Sequence, residues 1–416
     1  MAKRATPEHS ESRSSSVSGI GLATAQGCSA EIIESTSPHT ASELPWTPSR
    51  WSVSRVCYPA RGIEPSLTGV ERWRALAKKA LADLGDESIS AKTPLLVASC
   101  NGSAAGVQSQ EWEQAFDTSV LLKDTPWANE RLPVFSSSCA SGIHALYAAK
   151  QLLAAGAVDE VVVLAVDILS QSNHDNFESL RVLAEKPGPP TSTGFLLGEA
   201  AVVVRLGRDD DSIAIVLQSD LEDHDGLSGG VPTGPLPHYG HTLGASGLLS
   251  VALTTLTERR ENVSINCRAM NGACAAILLG SSRNTDFRQN GKWKNKATPR
   301  ALMNPTLKRL ASDALEHRPA APPDVLILRL EKPLSPPAPA FIGGRLLPSA
   351  VLEITPGFAS QLIARSWGFT GAALCLVGDV DTNVYGLKNA LRESGLNVFQ
   401  VNLRGSGDNR AIEWNA

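Results

Sequence analysis

The sequence predicts an α/β fold in which helices cover a largely apolar sheet. Short runs rich in Val and Leu recur along the chain, at 93–99 (TPLLVAS), 132–138 (LPVFSSS), 158–167 (VDEVVVLAVD) and 194–206 (GFLLGEAAVVVRL). Near-continuous apolar runs of this length are typical of strands buried on both faces of a sheet. Segments with apolar residues three and four apart alternate with them, as in GVERWRALAKKALADL at 69–84 and ASGIHALYAAKQLLAAG at 140–156, the spacing of helices with one buried face. A hydrophobic content of 42% and a charged content of 19% belong to an ordinary globular chain, long enough at 416 residues for one large domain or two medium ones.

The bulk numbers also exclude some classes. A formal net charge of −4 gives no basic field for nucleic acid or an anionic membrane. No apolar run approaches the roughly 18 residues that span a bilayer. The serine-rich start MAKRATPEHSESRSSSVSG lacks the apolar centre of a secretory signal, so a cytoplasmic address is expected. Seven cysteines, at 28, 57, 100, 139, 267, 274 and 375, form no CxxC pair, which indicates neither a zinc site nor a disulfide framework. In a reducing compartment most should be small buried hydrophobes.

Along the chain, residues 1–16 read as a tail, and SVSGIGLATAQG from 16 as a first strand with a glycine-rich turn. Strands are expected at SIAIVLQSD (212–220), NVSINCRAM (262–270) and CAAILLG (274–280), and a small-residue helix at HTLGASGLLSVALTTL from His241. Polar, basic and proline-rich stretches fill 283–340, interrupted by the strand-like PDVLILRLEKP, and this region is expected to be a linker. The segment 372–408 repeats the strand, turn, helix and strand of 132–167. Setting Gly156 against Gly395 places Cys139 opposite Gly378 and Ser138 opposite Val377. Two generic βαβ units would produce the same similarity.

Cys139 lies in SSSCASG, at a corner between a strand pattern and a helical one. The unsatisfied N–H groups of a helix start lower a thiol pKa and can hold an oxyanion on an acyl thioester. The small neighbours Ser138, Ala140, Ser141 and Gly142 would let a carbonyl approach the backbone. A lone cysteine is otherwise most often inert and buried. His241 begins an apolar helix, where a cap or a satisfied core histidine is the ordinary alternative to a catalytic role.

The order of SSSCASG, GFLLGEAA (194–201) and GHTLGASG (240–247) resembles the β-ketoacyl synthase family of the thiolase-like fold, as do FESLRVL (177–183) and the opening strand. The resemblance covers roughly 17–280. It implies a layered α-β-α-β-α fold with an additional C-terminal α/β segment, an N-terminal ketosynthase half at 17–207 and a shortened C-terminal half at 208–282. It further implies a condensing enzyme of fatty-acid or polyketide synthesis. Cys139 would hold the acyl chain and its N–H would form part of an oxyanion hole. His241 would act at the malonyl thioester, Phe195 would line or gate the pocket, and Gly198, Ser138 and Asn271 would shape substrate binding. The sequence departs from the family in lacking its H-G-T-G-T histidine segment, in Ala200 where glycine is usual, in Leu236 where lysine is usual, and in Cys274 where asparagine is expected. His224 or His238 could replace the missing histidine, or be loop residues. Cys139, His241 and Asn271 also resemble the Cys-His-Asn set of initiating ketosynthases.

Residues 341–416 are similar to the N-terminal half of degenerate ketosynthase partners such as chain-length factors, which lack the cysteine. The alternatives to condensation are therefore a chain-length-factor-like partner of an active subunit, or acyl transfer alone. No metal or organic cofactor is implied, since substrates would arrive as phosphopantetheine thioesters on acyl carrier protein. The resemblance implies a homodimer, or a heterodimer with a ketosynthase-like subunit. Arg259, Arg260 and the 288–300 stretch are candidates for the carrier-protein contact.

Overall fold

The computed structural model describes residues 16–34, 40–48, 52–85, 89–104, 111–187, 194–208, 213–219, 238–257, 263–279, 302, 304–336, 341–342, 345–346, 348–408 and 410–415. Strand β1 (Ser16–Ala23) leads to helix α1 (Gly69–Leu84), which buries Trp73, Leu76, Ala77 and Ala80 and stops at Gly85 in the left-handed region (φ 67°). Then follow β2 (Leu95–Ala98), the two-residue β3 (Val134–Phe135), helix α2 (Ser141–Ala154), β4 (Glu160–Asp167), helix α3 (Gln171–Ser179) and β5 (Ala200–Gly207). Strands β6 (Ile213–Ser219), β7 (Val263–Arg268) and β8 (Ala273–Leu279) form a small antiparallel sheet, with helix α4 (Ser246–Thr257) between β6 and β7. Towards the C-terminus come α5 (Pro305–Glu316), β9 (Val325–Leu330), a short hairpin (Phe341–Ile342 with Arg345–Leu346) and a helix at Pro348–Glu353, then α6 (Pro356–Trp367), β10 (Ala372–Val377), α7 (Leu387–Glu393), β11 (Val398–Arg404) and β12 (Ala411–Asn415).

Nine strands form one sheet in the order β1-β5-β4-β2-β3-β10-β9-β11-β12. Successive side chains on a strand point to opposite faces, and the core divides accordingly. Leu95 and Val97 of β2 pack with Trp73 and Leu76 of α1 and with the apolar faces of α5 and α6. Leu96 and Ala98 face the other way, among the alanines and leucines of α2 and α4, Leu387 of α7, and Ala275 and Ile277 of β8. Helix α2 is thus enclosed between the large sheet and the small one, which explains why it is apolar all round rather than amphipathic.

The region expected to be a linker, 283–340, is in part core. Asn304 caps α5, its Oδ1 accepting from Leu307 N at 3.2 Å, and Pro305 occupies the first turn, where it has no hydrogen bond to lose. Thr306, Leu307, Leu310, Ala311 and Ala314 form its buried face, and β9 is buried along its whole length between β10 and β11. The flanking prolines and charges disguised an ordinary helix–strand pair, whose strand lies inside the large sheet. Gly194–Glu199, expected to continue a strand, instead forms isolated bridges, and regular pairing starts only at Ala200.

The two ends of the large sheet repeat one another. Strand β2 runs parallel to β3 and β4, with β5 antiparallel to β4. Strand β9 runs parallel to β10 and β11, with β12 antiparallel to β11. Helices α1 and α5 precede β2 and β9, and α2 and α7 follow β3 and β10. The repeats meet where β3 and β10 pair antiparallel, Val134 opposite Val377 and Phe135 opposite Leu376.

Candidate active site

Ser136 and Ser137 follow strand β3, and a single 3₁₀ turn (Ser138–Ala140) then carries Cys139 into α2. Ser138 is held at φ 57°, a left-handed conformation that costs a non-glycine residue of order 1–3 kcal/mol. Hydrogen bonds over-determine the turn. Ser141 Oγ accepts from Ser137 N (2.9 Å) and donates to Ser138 O (2.5 Å), while Ser136 Oγ donates to Cys100 O (3.1 Å). The Cys139 side chain is 1% exposed.

His241 is brought in by a second turn of the same design. Its N–H donates to Leu196 O (2.7 Å) and its C=O accepts from Gly198 N (3.0 Å), which ties the GHT segment to GFLLGE. Gly198 is required by space, since a Cβ there would lie 1.9 Å from Tyr239 O. Leu243 then takes φ 52° and a 3₁₀ turn (Leu243–Ala245) enters α4, as Ser138 and its turn enter α2. The two turns read SCASG and LGASG. They approach closely because Gly142 faces Gly244 O and Gly247 faces Ile143, contacts that side chains there would occlude. The outcome is a 3.1 Å separation between Cys139 Sγ and His241 Nε2.

The other ring nitrogen of His241, Nδ1, lies 3.2 Å from Ser246 Oγ, which in turn lies 3.1 Å from Thr242 Oγ1. For Nε2 to accept the thiol proton, the ring N–H must sit on Nδ1 and donate to Ser246. Phe195 packs edge-on against the imidazole (centroids 4.7 Å apart) and Phe177 backs Phe195 at 5.4 Å. Asn271 is buried in the β7–β8 turn, but its Oδ1 accepts from Ala273 N (3.0 Å) and the His241 Nδ1 contact belongs to Ser246. Ser246 is the side chain that orients the imidazole, while Asn271 Nδ2 is buried with no hydrogen-bond partner among the described residues. His238 sits on an exposed loop, while His224, Leu236, Arg259, Arg260 and 288–300 lie outside the described residues.

Burial dominates the electrostatics. It pushes the Cys139 thiol up to about 11, against the lowering effect of the Ser138 hydroxyl and the N–H groups of Met270 and Cys139. The depressed thiol pKa expected from the helix start is thus overturned by desolvation of the charged form. Burial also lowers His241 to about 4. Both groups rest neutral near pH 7, so the thiol needs its proton removed during attack. Asp167, at the end of β4, accepts from Ser99 Oγ and from the N–H groups of Cys100 and Asn101, yet burial raises it to about 7. Glu199 of GFLLGE is structural. It forms a fully buried bidentate pair with Arg72 (2.7 and 2.6 Å) and accepts from Ala60 N and Leu169 N, and removing one member of such a pair costs about 3–5 kcal/mol.

Besides Ser246, three groups escaped the sequence reading. The Met270 N–H, which lies in a turn just before Asn271, faces the sulfur as a backbone group with no side-chain signature. The Cys267 thiol donates to Cys139 O at 3.4 Å. His144, one turn into α2, is 1% exposed with neither ring nitrogen hydrogen-bonded, and burial lowers it to about 3. Among the described residues no cluster of three or more His, Cys, Asp or Glu could hold a metal ion, and no helix is long and apolar enough to cross a membrane.

Residues 133–212, which run from the nucleophile strand past GFLLGEAA, match the β-ketoacyl synthase N-terminal domain. The fold is that of the thiolase-like ketosynthases. A ketosynthase–chain-length factor named PfaC aligns with 95% of this chain and 74% of its own, at 11% identity and a TM-score of 0.63. A β-ketoacyl synthase from Burkholderia phymatum STM815 aligns with 65% of this chain and all of its own, at 17% identity and a TM-score of 0.50. A type II polyketide ketosynthase solved with its acyl-carrier protein (AntDE:AntF) gives the same coverage and score at 14% identity. No curated protein matches the chain in sequence.

Two outcomes are expected from this site. Ser246→Ala removes the partner of Nδ1 while keeping the helix, and should slow Cys139 acylation about fivefold to tenfold, one hydrogen bond's worth of ~1 kcal/mol, with a changed His241 tautomer signal in ¹⁵N NMR. An unchanged rate and spectrum contradict the Ser246 assignment. For His144, the unfolded chain takes up a proton near 6.5 while the fold excludes it until about 3. The unfolded state therefore binds more protons between these values, and stability falls as pH drops through that window. His241 acts in the same sense and Asp167 in the opposite one, gaining stability as pH falls from about 7 towards 4. His144→Met removes one histidine loss, so its melting temperature should gain on the native chain between pH 6.5 and 4.5. A constant difference contradicts the assignment.

Proposed function

We propose that the chain is a condensing acyltransferase of fatty-acid or polyketide synthesis, with Cys139 as acyl acceptor and His241 as its proton acceptor and donor. The observation that carries this reading is the 3.1 Å approach of Sγ to Nε2 between two buried neutral groups. A thioester carbonyl seated over Cys139 is attacked by sulfur as His241 takes the thiol proton. The N–H groups of Cys139 and Met270 receive the oxyanion, the C–S bond to the carrier breaks, and the proton leaves with the carrier thiol. In the second half, a malonyl thioester loses carbon dioxide, its enolate carbon attacks the Cys139 thioester, and Cys139 departs as a thiolate that takes up one proton from water through His241. Phe195 and Phe177 wall the imidazole, and nothing beyond the carrier's phosphopantetheine arm is required. The substrates would be presented by acyl carrier protein in the cytoplasm.

Acyl transfer without condensation is a second reading. Among the described residues His241 is the one histidine in contact with Sγ, and transfer needs no other. Intact-mass spectrometry after incubation with an acyl-carrier-protein thioester decides the first step. The native chain should gain the acyl mass and Cys139→Ala should not. Malonyl-carrier protein should then release a β-ketoacyl product, whereas a stable acyl-enzyme indicates transfer alone. Failure of the native chain to acylate would contradict both and favour a chain-length-factor-like partner.

A further inference from the structure

The repeat found in the sheet has a register. The offset of 239 residues that places Gly395 on Gly156 also places Cys375 on Ser136. In the structure these two residues meet, with Ser136 N donating to Cys375 O at 2.9 Å, and the β3–β10 pairs extend the same antiparallel ladder. Two copies related by a twofold axis through Ser136 and Cys375 would pair in this way. The helices that follow each strand, α2 and α7, pack against one another beside that ladder. Without β10, strand β3 would be the open edge of the sheet β1-β5-β4-β2-β3.

The C-terminal copy also reaches the site around Cys139. Gly357, in the first turn of α6, lies so close to the nucleophile turn that a Cβ there would fall 2.6 Å from Ser137 Cα. The same atom would lie 2.8 Å from Ser136 O and from Asn271 Nδ2. Arg365, two turns along α6, donates from Nη2 to Asn271 O at 2.9 Å, and Asn271 follows the Met270 whose N–H faces the sulfur. At the position matching Cys139 the copy has Gly378, at φ 136°, so it carries no thiol of its own.

We propose that residues 305–416 are an in-chain counterpart subunit, docked on β3 in pseudo-twofold fashion, whose helix α6 braces the nucleophile turn and the Asn271 turn. One chain then contains a complete sheet and a single thiol site, and the edge through which a second copy could pair with β3 is already filled. The dimer expected from the family resemblance is replaced, at this surface, by the chain itself. This holds whether or not Cys139 is acylated.

Native mass spectrometry of the full chain tests the docking. A single-chain mass of 43.9 kDa is expected at both high and low concentration, and a dimer that dissociates on dilution would overturn the proposal. The bracing is tested with Gly357→Ala and Gly357→Val, by measuring iodoacetamide modification of Cys139 relative to Cys28 and Cys274 in the same molecule. A displacement of the turn by about an ångström should lower the Cys139 ratio tenfold or more, and more for Val than for Ala. General loosening would instead raise all three rates together. An unchanged ratio in a folded variant overturns the bracing. Should the valine variant not fold, Arg365→Met is read in the same way and is expected to lower the ratio.

Discussion

The pairing of β3 with β10 is the constraint on which the rest depends. Strand β3 contributes only Val134 and Phe135, too little to hold a turn rigid from one side. Paired with β2 on one edge and β10 on the other, it becomes an interior strand whose end is fixed to within hydrogen-bond precision. The strained Ser138 and the thiol behind it are positioned from that fixed end. A left-handed serine persists only where its surroundings over-determine it, and here they do so through Ser137, Ser141 and the C-terminal unit.

The second determinant is a duplicated device. Two turns, each with a left-handed residue, a 3₁₀ turn and a helix beginning Ser-Gly, face one another through glycines. Close packing of this kind excludes water, and exclusion of water sets the chemistry. It makes an ionised thiol and an ionised imidazole both costly, so the pair rests as neutral groups; in the proposed acyl transfer the proton would move only as charge passes to the acyl carbonyl. Ser246 and the Met270 and Cys139 N–H groups then matter because they are fixed dipoles that need no rearrangement.

Much of this was legible. Cys139, His241, Phe195 and Gly198 sit in short motifs whose residue types answer to local geometry, and the structure brings all four together. The repeat of 132–167 at 372–408 was visible because apolar periodicity and glycine placement survive where a nucleophile does not. What stayed hidden was of three kinds. Helix α5 and strand β9 were masked by neighbouring prolines and charges, although the PDVLILRLEKP run was itself strand-like. The Met270 N–H is a backbone group and leaves no mark on residue type. The raised thiol pKa depends on how many layers enclose α2, a property of the assembled sheets that a helix-start argument cannot contain.

Amide hydrogen exchange at Ser136 tests the central claim most directly, because that N–H is the donor to Cys375 O on the pseudo-twofold axis. It should be protected to the level of Ala165 in the middle of β4, and equally so after strong dilution, since its partner strand belongs to the same chain. Exchange as fast as that of an open edge, or protection that fades on dilution, would show that β3 is not closed by β10.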